Sequence, residues 1–498
     1  MTNKHPHGIS HAKFMENLNE TNELDHNEIP ENGKEAKIVR SIIDSKAMLD
    51  FNPALNTSSY VQVQFEEEEF EVMNHGQRIN LADQTIYPHA FKIHDEAVNM
   101  IASMWHCPKD DDVKKYGVHA GAGTVGSTEA CLLAGLALKF RWRNWYAKKH
   151  GLTHDQILAV KPNLVISTCY QAAWEKLFRY FDIEPRLAPT SVKNFAIDPA
   201  TLHEYVDDKT IGVVGIMGNH WAGQFDKIHE INDVIDKLNR EKGYQVGIHV
   251  DAASGGFIAP FIKDCPTWDF RLPNVLSIST SGHKYGEACA GTGWIVWRHR
   301  KDLSEHVAID VSYLGGHADS YTLNFSRPAT GVFSQYYKLL RFGKAGYQAA
   351  CDNALANTKL LRDALMAMTH KGKPRFELLD SGENPALPVA AMRLNPELKL
   401  HYNDIDLQNA LSMSHWYVSG YKMSTDHPTL GYEVPLFTDE DAESTMFRVV
   451  IKAHISTPLV KDLISAFEEA LAFLDQHHNQ YDSNKLRHRK HRTITNHC

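Results

Sequence analysis

Between residues 86 and 303 the apolar positions switch repeatedly between two periods. Residues 96–105 and 127–149 place them three and four apart, the spacing of one helix face, whereas 163–167, 211–217 and 245–250 are short apolar runs rich in β-branched side chains, as in strands. Helices alternating with such runs predict an α/β fold around a mostly parallel sheet, because each crossover between parallel strands is long enough to be a helix. Residues 333–368 then carry a long helical pattern, and 389–394, 447–453 and 458–477 predict a smaller α+β domain. The first fifty residues are rich in Asn, Glu, His and Lys until helical apolar spacing returns at 36–43, so an extended, partly ordered arm is expected there. The pattern divides the chain into an N-terminal arm (1–85), a large domain (86–345), a small C-terminal domain (346–475) and a basic, histidine-rich tail (476–498). No internal repeat is visible.

Length and composition narrow the class. A chain of 498 residues exceeds what one hydrophobic core spans, and 43% apolar residues are ample for burial. A net charge of −9 with pI near 6.3 argues against nucleic acid as a partner. No apolar run reaches the length of a membrane span and residues 1–11 are polar, so no membrane association is expected and the default address is the cytoplasm. Seven scattered cysteines without CxxC spacing point to reduced, mostly buried thiols. The 29 histidines are dispersed without HExxH-type spacing, so no metal site is expected.

Two short segments change the picture. Residues 246–250 form a β-rich run that ends at Asp251 and is closed by Ala252-Ala253-Ser254-Gly255-Gly256, which puts the aspartate at a strand's C-terminal edge, where open α/β sheets bind ligands. About thirty residues later comes Ser281-Gly282-His283-Lys284. A lysine at the end of a short polar turn can form a Schiff base with an aldehyde, and a carboxylate beside a pyridine nitrogen keeps that nitrogen protonated. Singly, Asp251 could cap a turn and Lys284 could be a solvated lysine; in this order they point to a pyridoxal 5'-phosphate (PLP) site. The phosphate is expected on Gly126-Ser127-Thr128, since glycine lets the backbone approach, Ser127 and Thr128 donate, and the following helix offers its positive N-terminus. The same residues also read as an N-cap, and the two roles coexist.

On these segments the chain resembles the PLP-dependent group II amino-acid decarboxylases, and among them the glutamate decarboxylases. The resemblance runs from about Asn56 to about Arg448 through Asn80-Leu81-Ala82-Asp83, Tyr87-Pro88, Trp174-Glu175-Lys176, Trp268-Asp269-Phe270-Arg271-Leu272-Pro273, Tyr313-Leu314-Gly315-Gly316 and Asn324-Phe325-Ser326-Arg327-Pro328. It implies the PLP-dependent transferase-like fold of the aspartate aminotransferase type and a carboxy-lyase activity on an L-amino acid. It further implies that Ser281 and His283 add contacts near the phosphate, that Gln171 and Ala253 flank the two ring faces, and that Arg448 meets the substrate's α-carboxylate. Tyr313 matches a tyrosine presented across a dimer and is the nominated proton donor to Cα. Ser326 is implied to reach the phosphate from a neighbouring subunit, so the expected unit is a homodimer or a higher homo-oligomer, a hexamer included.

The departures from the family pattern fall around the substrate. Where glutamate decarboxylases carry Asn-Leu-Ala-Thr-Phe, whose last two residues help bind the distal carboxylate from the neighbouring chain, this chain has Asn56-Thr57-Ser58-Ser59-Tyr60. Ser59 keeps a hydroxyl, Tyr60 keeps an aromatic ring, and Asp83 keeps the acidic position of that pocket. The family's Gly-x-Thr-Tyr-Thr-Gly reads Gly218-Asn219-His220-Trp221-Ala222-Gly223, with His220 in place of the threonine near the cofactor's ring hydroxyl. Glutamate is the leading substrate; a decarboxylase for another amino acid and a non-catalytic relative are the alternatives. The basic tail ends Thr495-Asn496-His497-Cys498 and reads either as a solvated segment or as a histidine gate of the kind some bacterial relatives carry.

Overall fold

The computed structural model describes residues 28–48, 50–110, 117–303, 307, 309–310, 319–320, 322–380, 385–423, 426–427, 432–435, 437 and 444–477. Tyr313 and the tail with His497 therefore lie outside the described residues. Residues 1–52 and 53–498 form two compact units. In the first, the 36–43 pattern becomes helix α1 (Ala36–Ala47), which buries none of its residues.

The second unit begins with helices α2 (Glu67–Gly76) and α3 (Pro88–Met104). Proline at the first position of α3 starts the helix eight residues earlier than the apolar spacing alone indicates, since a helix's first turn leaves its N–H groups unpaired in any case. The central sheet comprises β1 (Ala120–Val125), β2 (Asn163–Ser167), β3 (Glu184–Ala188), β4 (Thr210–Ile216), β5 (Gly247–Asp251), β6 (Val275–Thr280) and β7 (Thr292–Trp297), in the order β1-β7-β6-β5-β4-β2-β3. All neighbouring pairs from β6 to β3 are parallel, while β7 runs antiparallel to both β6 and β1. Strands β2, β4, β5 and β6 are buried at every position, as expected of parallel strands covered on both faces. The one imidazole among them, His249, is accommodated because both ring nitrogens meet serine hydroxyls of β6, Ser277 at 2.8 Å and Ser279 at 3.0 Å. Burial lowers its pKa to about 3, so it is neutral.

Helix α4 (Gly126–His150) packs on this sheet and against α5 (Ala172–Tyr180), and α6 (Ile228–Lys242) lies between β4 and β5 in the chain. The long helical pattern near 333–368 is α7 (Thr330–Ala367), broken at Gly343, where φ is 56°. It packs on α2 and α3. A second, all-antiparallel sheet follows: β8 (Phe376–Leu378), β9 (Val389–Leu394), β10 (Ser419–Lys422) and β11 (Thr445–Val450), in the order β8-β9-β11-β10. Helices α8 (Asp404–Leu411) and α9 (Thr457–Gln476) pack with it around an apolar core that includes Phe376, Leu407, Trp416, Phe447 and Phe467. Asp404 and Thr445 join α8 to β11 through a 2.6 Å hydrogen bond from the threonine hydroxyl. The sheet matters for the site because β11 carries Arg448.

Candidate active site

Asp251 and Lys284 are 33 positions apart in the chain but are brought together by adjacent strands. Asp251 ends β5, opposite Ser279 of β6, and β6 runs directly into the turn at Ser281. Backbone hydrogen bonds from Ala252 to the Ser279 carbonyl (2.9 Å) and from Ser281 to the Ala253 carbonyl (3.0 Å) continue the pairing beyond the strands. Both functional groups thus emerge at the C-terminal edge of the sheet. The buried Asp251 carboxylate accepts from the Trp174 indole N–H at 2.7 Å and from the Ala253 N–H at 3.0 Å, so one oxygen is held by α5 and the other by its own turn.

Lys284 is half-buried, and its Nζ donates to Ser254 Oγ at 3.1 Å. Burial lowers the ammonium to about 8, against the opposing pull of Asp251 and Cys131 and with a further push from Arg448. A fraction of the amine is therefore unprotonated and nucleophilic at neutral pH. The turn that carries it is compact. A side chain at Gly282 would meet Gln335 Oε1 at 2.1 Å and Thr292 Cγ2 at 2.9 Å, so a larger residue would have to push the Gln335 side chain aside. Gln335 and Tyr347 of α7 both donate to the Gly286 carbonyl, and Gln62 donates its backbone N–H to the His283 carbonyl.

Beside this turn lies the N-terminus of α4. Gly126 adopts φ +73°, and a Cβ there would meet His283 Cε1 at 3.2 Å, so the glycine leaves room between the helix start and the histidine. His283 donates Nδ1–H to the Thr292 carbonyl at 2.7 Å; burial, aided by the Lys284 charge, lowers its pKa to about 4 and keeps the ring neutral. Ser281 Oγ is buried without a protein partner. A helix N-terminus, two adjacent hydroxyl residues, an unpartnered buried serine and a glycine-made space together fit a phosphate. Gln171 stands at the N-cap position of α5, the helix whose Trp174 reaches Asp251, and Ala253 is buried directly after the aspartate's turn.

The wall opposite the sheet comes from distant parts of the chain. The Tyr60 ring centroid lies 5.4 Å from Lys284 Nζ and 5.1 Å from the Arg448 guanidinium, and the ring packs edge-on to Tyr285 at 6.2 Å. Arg448 donates Nη2–H to the Ser58 carbonyl at 2.9 Å. Its Nε, the Tyr60 hydroxyl and the Tyr421 hydroxyl are all buried without partners. Burial raises both phenols, Tyr421 to about 12, while the Arg448 charge opposes the rise in each. Three donors converging without an acceptor are what an anionic ligand would satisfy.

The remaining expected residues divide into two places. Ser59 sits beside Tyr60 and accepts the Val61 N–H at 3.2 Å, leaving its own proton to donate. This segment lies against the lysine of its own chain, although the resemblance implies that a neighbouring chain supplies it. His220 and Trp221 occupy a tight turn after β4, built by Asn219, whose Oδ1 accepts the Trp221 and Ala222 N–H groups at 3.1 and 2.9 Å. The turn starts beside the aspartate, because the Met217 N–H donates to the Asp251 carbonyl. Trp221 packs with Phe195, Tyr421 and Phe437, which links this turn to the wall. Asp83 and Ser326 lie elsewhere: Asp83 caps a turn at the Ile86 N–H, and the exposed Ser326 meets Asn80 Nδ2 at 3.4 Å. Among the described residues no hydrogen bond joins either to Lys284, Asp251 or Arg448. Sequence reasoning missed Ser254, Tyr421 and the indole role of Trp174; the last was quoted as part of a motif, while Tyr421 sits in a four-residue strand with no distinguishing pattern.

The comparisons with known proteins agree with this construction. A family model described as the pyridoxal-dependent decarboxylase conserved domain matches residues 73–390. The glutamate decarboxylase of Solanum lycopersicum is 36% identical over 447 residues, covering 90% of this chain and 82% of that protein. That of Lactococcus lactis subsp. lactis is 34% identical over 474 residues, covering 94% and 95%. The solved glutamate decarboxylase of Lactobacillus brevis superposes with a TM-score of 0.81 at 34% identity, covering 92% of this chain and 97% of that one. A structure described as Oryza sativa TDC with PLP and tryptamine shares the fold at 16% identity, with a TM-score of 0.71. The chain belongs to the pyridoxal-dependent decarboxylase family. It is a carboxy-lyase whose cofactor is PLP, on the PLP-dependent transferase-like fold that the apolar pattern and the Asp251–Lys284 pair together indicate.

Proposed function

We propose that this enzyme removes the α-carboxylate of L-glutamate to give 4-aminobutanoate and CO2. The observation that carries the proposal is the convergence of Arg448 Nε, the Tyr60 hydroxyl and the Tyr421 hydroxyl, buried and unpartnered, beside Lys284. The relatives' names support the choice of glutamate. Bound PLP supplies the electron-accepting ring that takes up the pair left when the bond from Cα to the carboxylate breaks.

The chain's own groups do the rest. Lys284 would hold the cofactor through Nζ, and Asp251 would keep its ring nitrogen protonated. Gly126, Ser127, Thr128, Ser281 and His283 would hold the phosphate, joined by Ser326 from the partner subunit's copy of this chain. Gln171, Ala253 and His220 would help to hold the ring. Arg448, with Tyr60 and Tyr421, would bind and orient the α-carboxylate. Ser59 would donate to the distal carboxylate, and Asp83, which caps a turn away from Lys284 in its own chain, would come to that pocket from the partner subunit's copy as an acceptor for its donors. Tyr313 delivers the proton that replaces CO2 at Cα.

The working unit in this reading is a homodimer or higher homo-oligomer in the cytoplasm. An apolar groove of about 770 Å³ between α2, α3 and α7, lined by Val72, Ile79, Tyr87, Ile93, Phe333 and Leu340, supports it. So does the exposure of Ile86 and Leu340, 65% and 61%, at that groove. The domain division follows the same lines: arm 1–85, PLP-binding domain 86–345, small domain 346–475 and tail 476–498. CO2 release measured across a panel of amino acids tests the substrate. Turnover of glutamate well above every other member is expected; preference for a neutral or aromatic amino acid overturns it.

A further inference from the structure

The two oxygens of the buried Asp251 carboxylate are held in different ways. Oδ1 accepts the Ala253 N–H at 3.0 Å, a bond within the aspartate's own turn that moves with it and cannot fix it against the rest of the fold. Oδ2 accepts the indole N–H of Trp174 at 2.7 Å, and Trp174 belongs to α5. This is the strong donor that ties the carboxylate to a different element. Cys131 of α4 also faces the carboxylate, but a thiol is a weak donor, and its sulfur rests on Ser279 Oγ at 3.6 Å. Burial, with the Asp251 charge adding to it, raises that thiol well above its usual range and keeps it neutral.

The indole is itself immobilised. Trp174 is 0% exposed, and its ring packs on His249 with centroids 5.4 Å apart and planes inclined at 57°. His249 has both nitrogens bonded to the Ser277 and Ser279 hydroxyls of β6. Ser279 is also the register partner of Asp251, so the aspartate and the imidazole beside the indole are set by the same pair of strands. Leu177, three residues along α5, stands against α4 where a Cβ at Gly135 would come within 2.4 Å of it, which seats α5 closely on its neighbour. The indole nitrogen and both imidazole nitrogens are thus paired, and a buried polar network with its members satisfied holds a single arrangement.

We infer that Trp174 is a positioning residue for Asp251, its indole N–H fixing the rotation of the carboxylate so that the aspartate meets the cofactor's ring nitrogen in one orientation. The inference rests on the reading of Asp251 as the partner of that nitrogen. The terminal torsion of an aspartate is broad when nothing restrains it. A carboxylate held by its own turn at one oxygen and by α5 at the other has lost that freedom, and the bond that removes it is of the stronger, charge-assisted kind. Gln171, expected at a face of the ring, stands at the N-cap position of the same helix, three residues before Trp174. One helix therefore sets both a face contact and the acid at the ring's edge, and a displacement of α5 would alter the two together.

The test is a double-mutant cycle on Trp174→Phe and Asp251→Asn. It is read as turnover, as the dissociation constant of PLP from titration of the cofactor-free protein, and as the absorbance of the lysine-bound cofactor against pH. Phenylalanine keeps an aromatic ring and removes the N–H. Trp174→Phe is expected to lower kcat about tenfold with KM changed far less, the size of a lost hydrogen bond to a charged group. It should also weaken PLP binding several-fold and move the pH midpoint of the absorbance change. In the double variant neither kcat nor PLP affinity should fall further than in Asp251→Asn alone, because the indole acts only through the carboxylate. If Trp174→Phe does not fold, a tryptophan analogue with sulfur in place of the indole N–H, which keeps the shape of the ring, takes its place in the cycle. Unchanged kcat with an unmoved midpoint, or losses that add in the double variant, overturn the inference. So does an equal loss in Cys131→Ala, which alters the other group facing the carboxylate and leaves the indole in place. Asp251→Asn alone separates the two failures. Wild-type turnover in that variant sinks the reading of Asp251 itself, whereas a large loss there beside an inert Trp174→Phe sinks only the positioning role.

Discussion

The floor and the wall of the active site are built in opposite ways. The floor, Asp251 and Lys284, comes from neighbouring strand ends, where backbone pairing between β5 and β6 dictates the distance between the two groups. The wall, Tyr60, Tyr421 and Arg448, comes from positions up to 388 residues apart and is held by side-chain contacts: Arg448 on the Ser58 carbonyl, Tyr285 on the Ile451 carbonyl, Trp221 on Tyr421. A floor set by the sheet tolerates little change in geometry but is indifferent to which substrate is bound. A wall set by side chains can be altered one residue at a time, which is how the chain can depart from the family pattern at Ser59, His220 and Trp221 while keeping Asp251 and Lys284.

That contrast predicts where damage should appear. The largest effect is expected for Lys284→Ala, which should lower turnover by roughly 10⁴-fold or more with the fold retained, since no other group supplies a nucleophilic amine at that position. Single-turnover assays alongside circular dichroism check it. Asp251→Asn should leave cofactor bound but lower kcat by about 10²–10³, comparable to removing a main electrostatic partner of a transition state. The loss should fall on kcat rather than KM, and wild-type-like turnover would remove Asp251 from the chemistry.

Wall substitutions should behave differently. Arg448→Lys keeps the charge but loses the planar fork, and is expected to lower kcat/KM for glutamate by about 10-fold or more through a hydrogen bond to a charged group worth about 1.5–3 kcal/mol. Ser59→Ala should cost about tenfold, the lower end of the same range, expressed mainly in KM, and an equal loss with amino acids lacking a distal carboxylate would break the assignment. The smallest effect is on stability. The folded protein lowers Lys284 from 10.5 to about 8, so folded chains bind fewer protons than unfolded ones in that window. The cost of the buried ammonium is full below pH 8 and disappears as pH rises towards 10.5. Lys284→Met should therefore raise the melting temperature of the cofactor-free protein by about 2 °C at pH 7, and by less at pH 10.

The same contrast explains what was legible in the sequence. The floor could be read because a strand end and a polar turn leave a local record: an apolar run stopping at Asp251, and Ser-Gly-His before Lys284. The strands 163–167 and 389–394 coincide with their apolar runs for the same reason. The antiparallel course of β7 was not legible, because Thr-Gly-Trp-Ile-Val-Trp carries no direction. Tyr421 was invisible because its significance lies in what it faces across the fold, Trp221 above all.

The antiparallel course of β7 has a consequence for how freely this enzyme can be remodelled. Residues 281–291 join two strands that lie side by side and run in opposite directions, so the segment must return to the edge from which it left. The connections between the parallel strands are longer crossovers, those through α5 and α6 among them, and can absorb inserted residues in their surface loops. The lysine segment has no such slack: its carbonyls at His283 and Gly286 are already held by Gln62, Gln335 and Tyr347. Length variation among natural or engineered versions of this chain should therefore collect in the crossovers, and the stretch from β6 to β7 should keep its residue count wherever activity is kept.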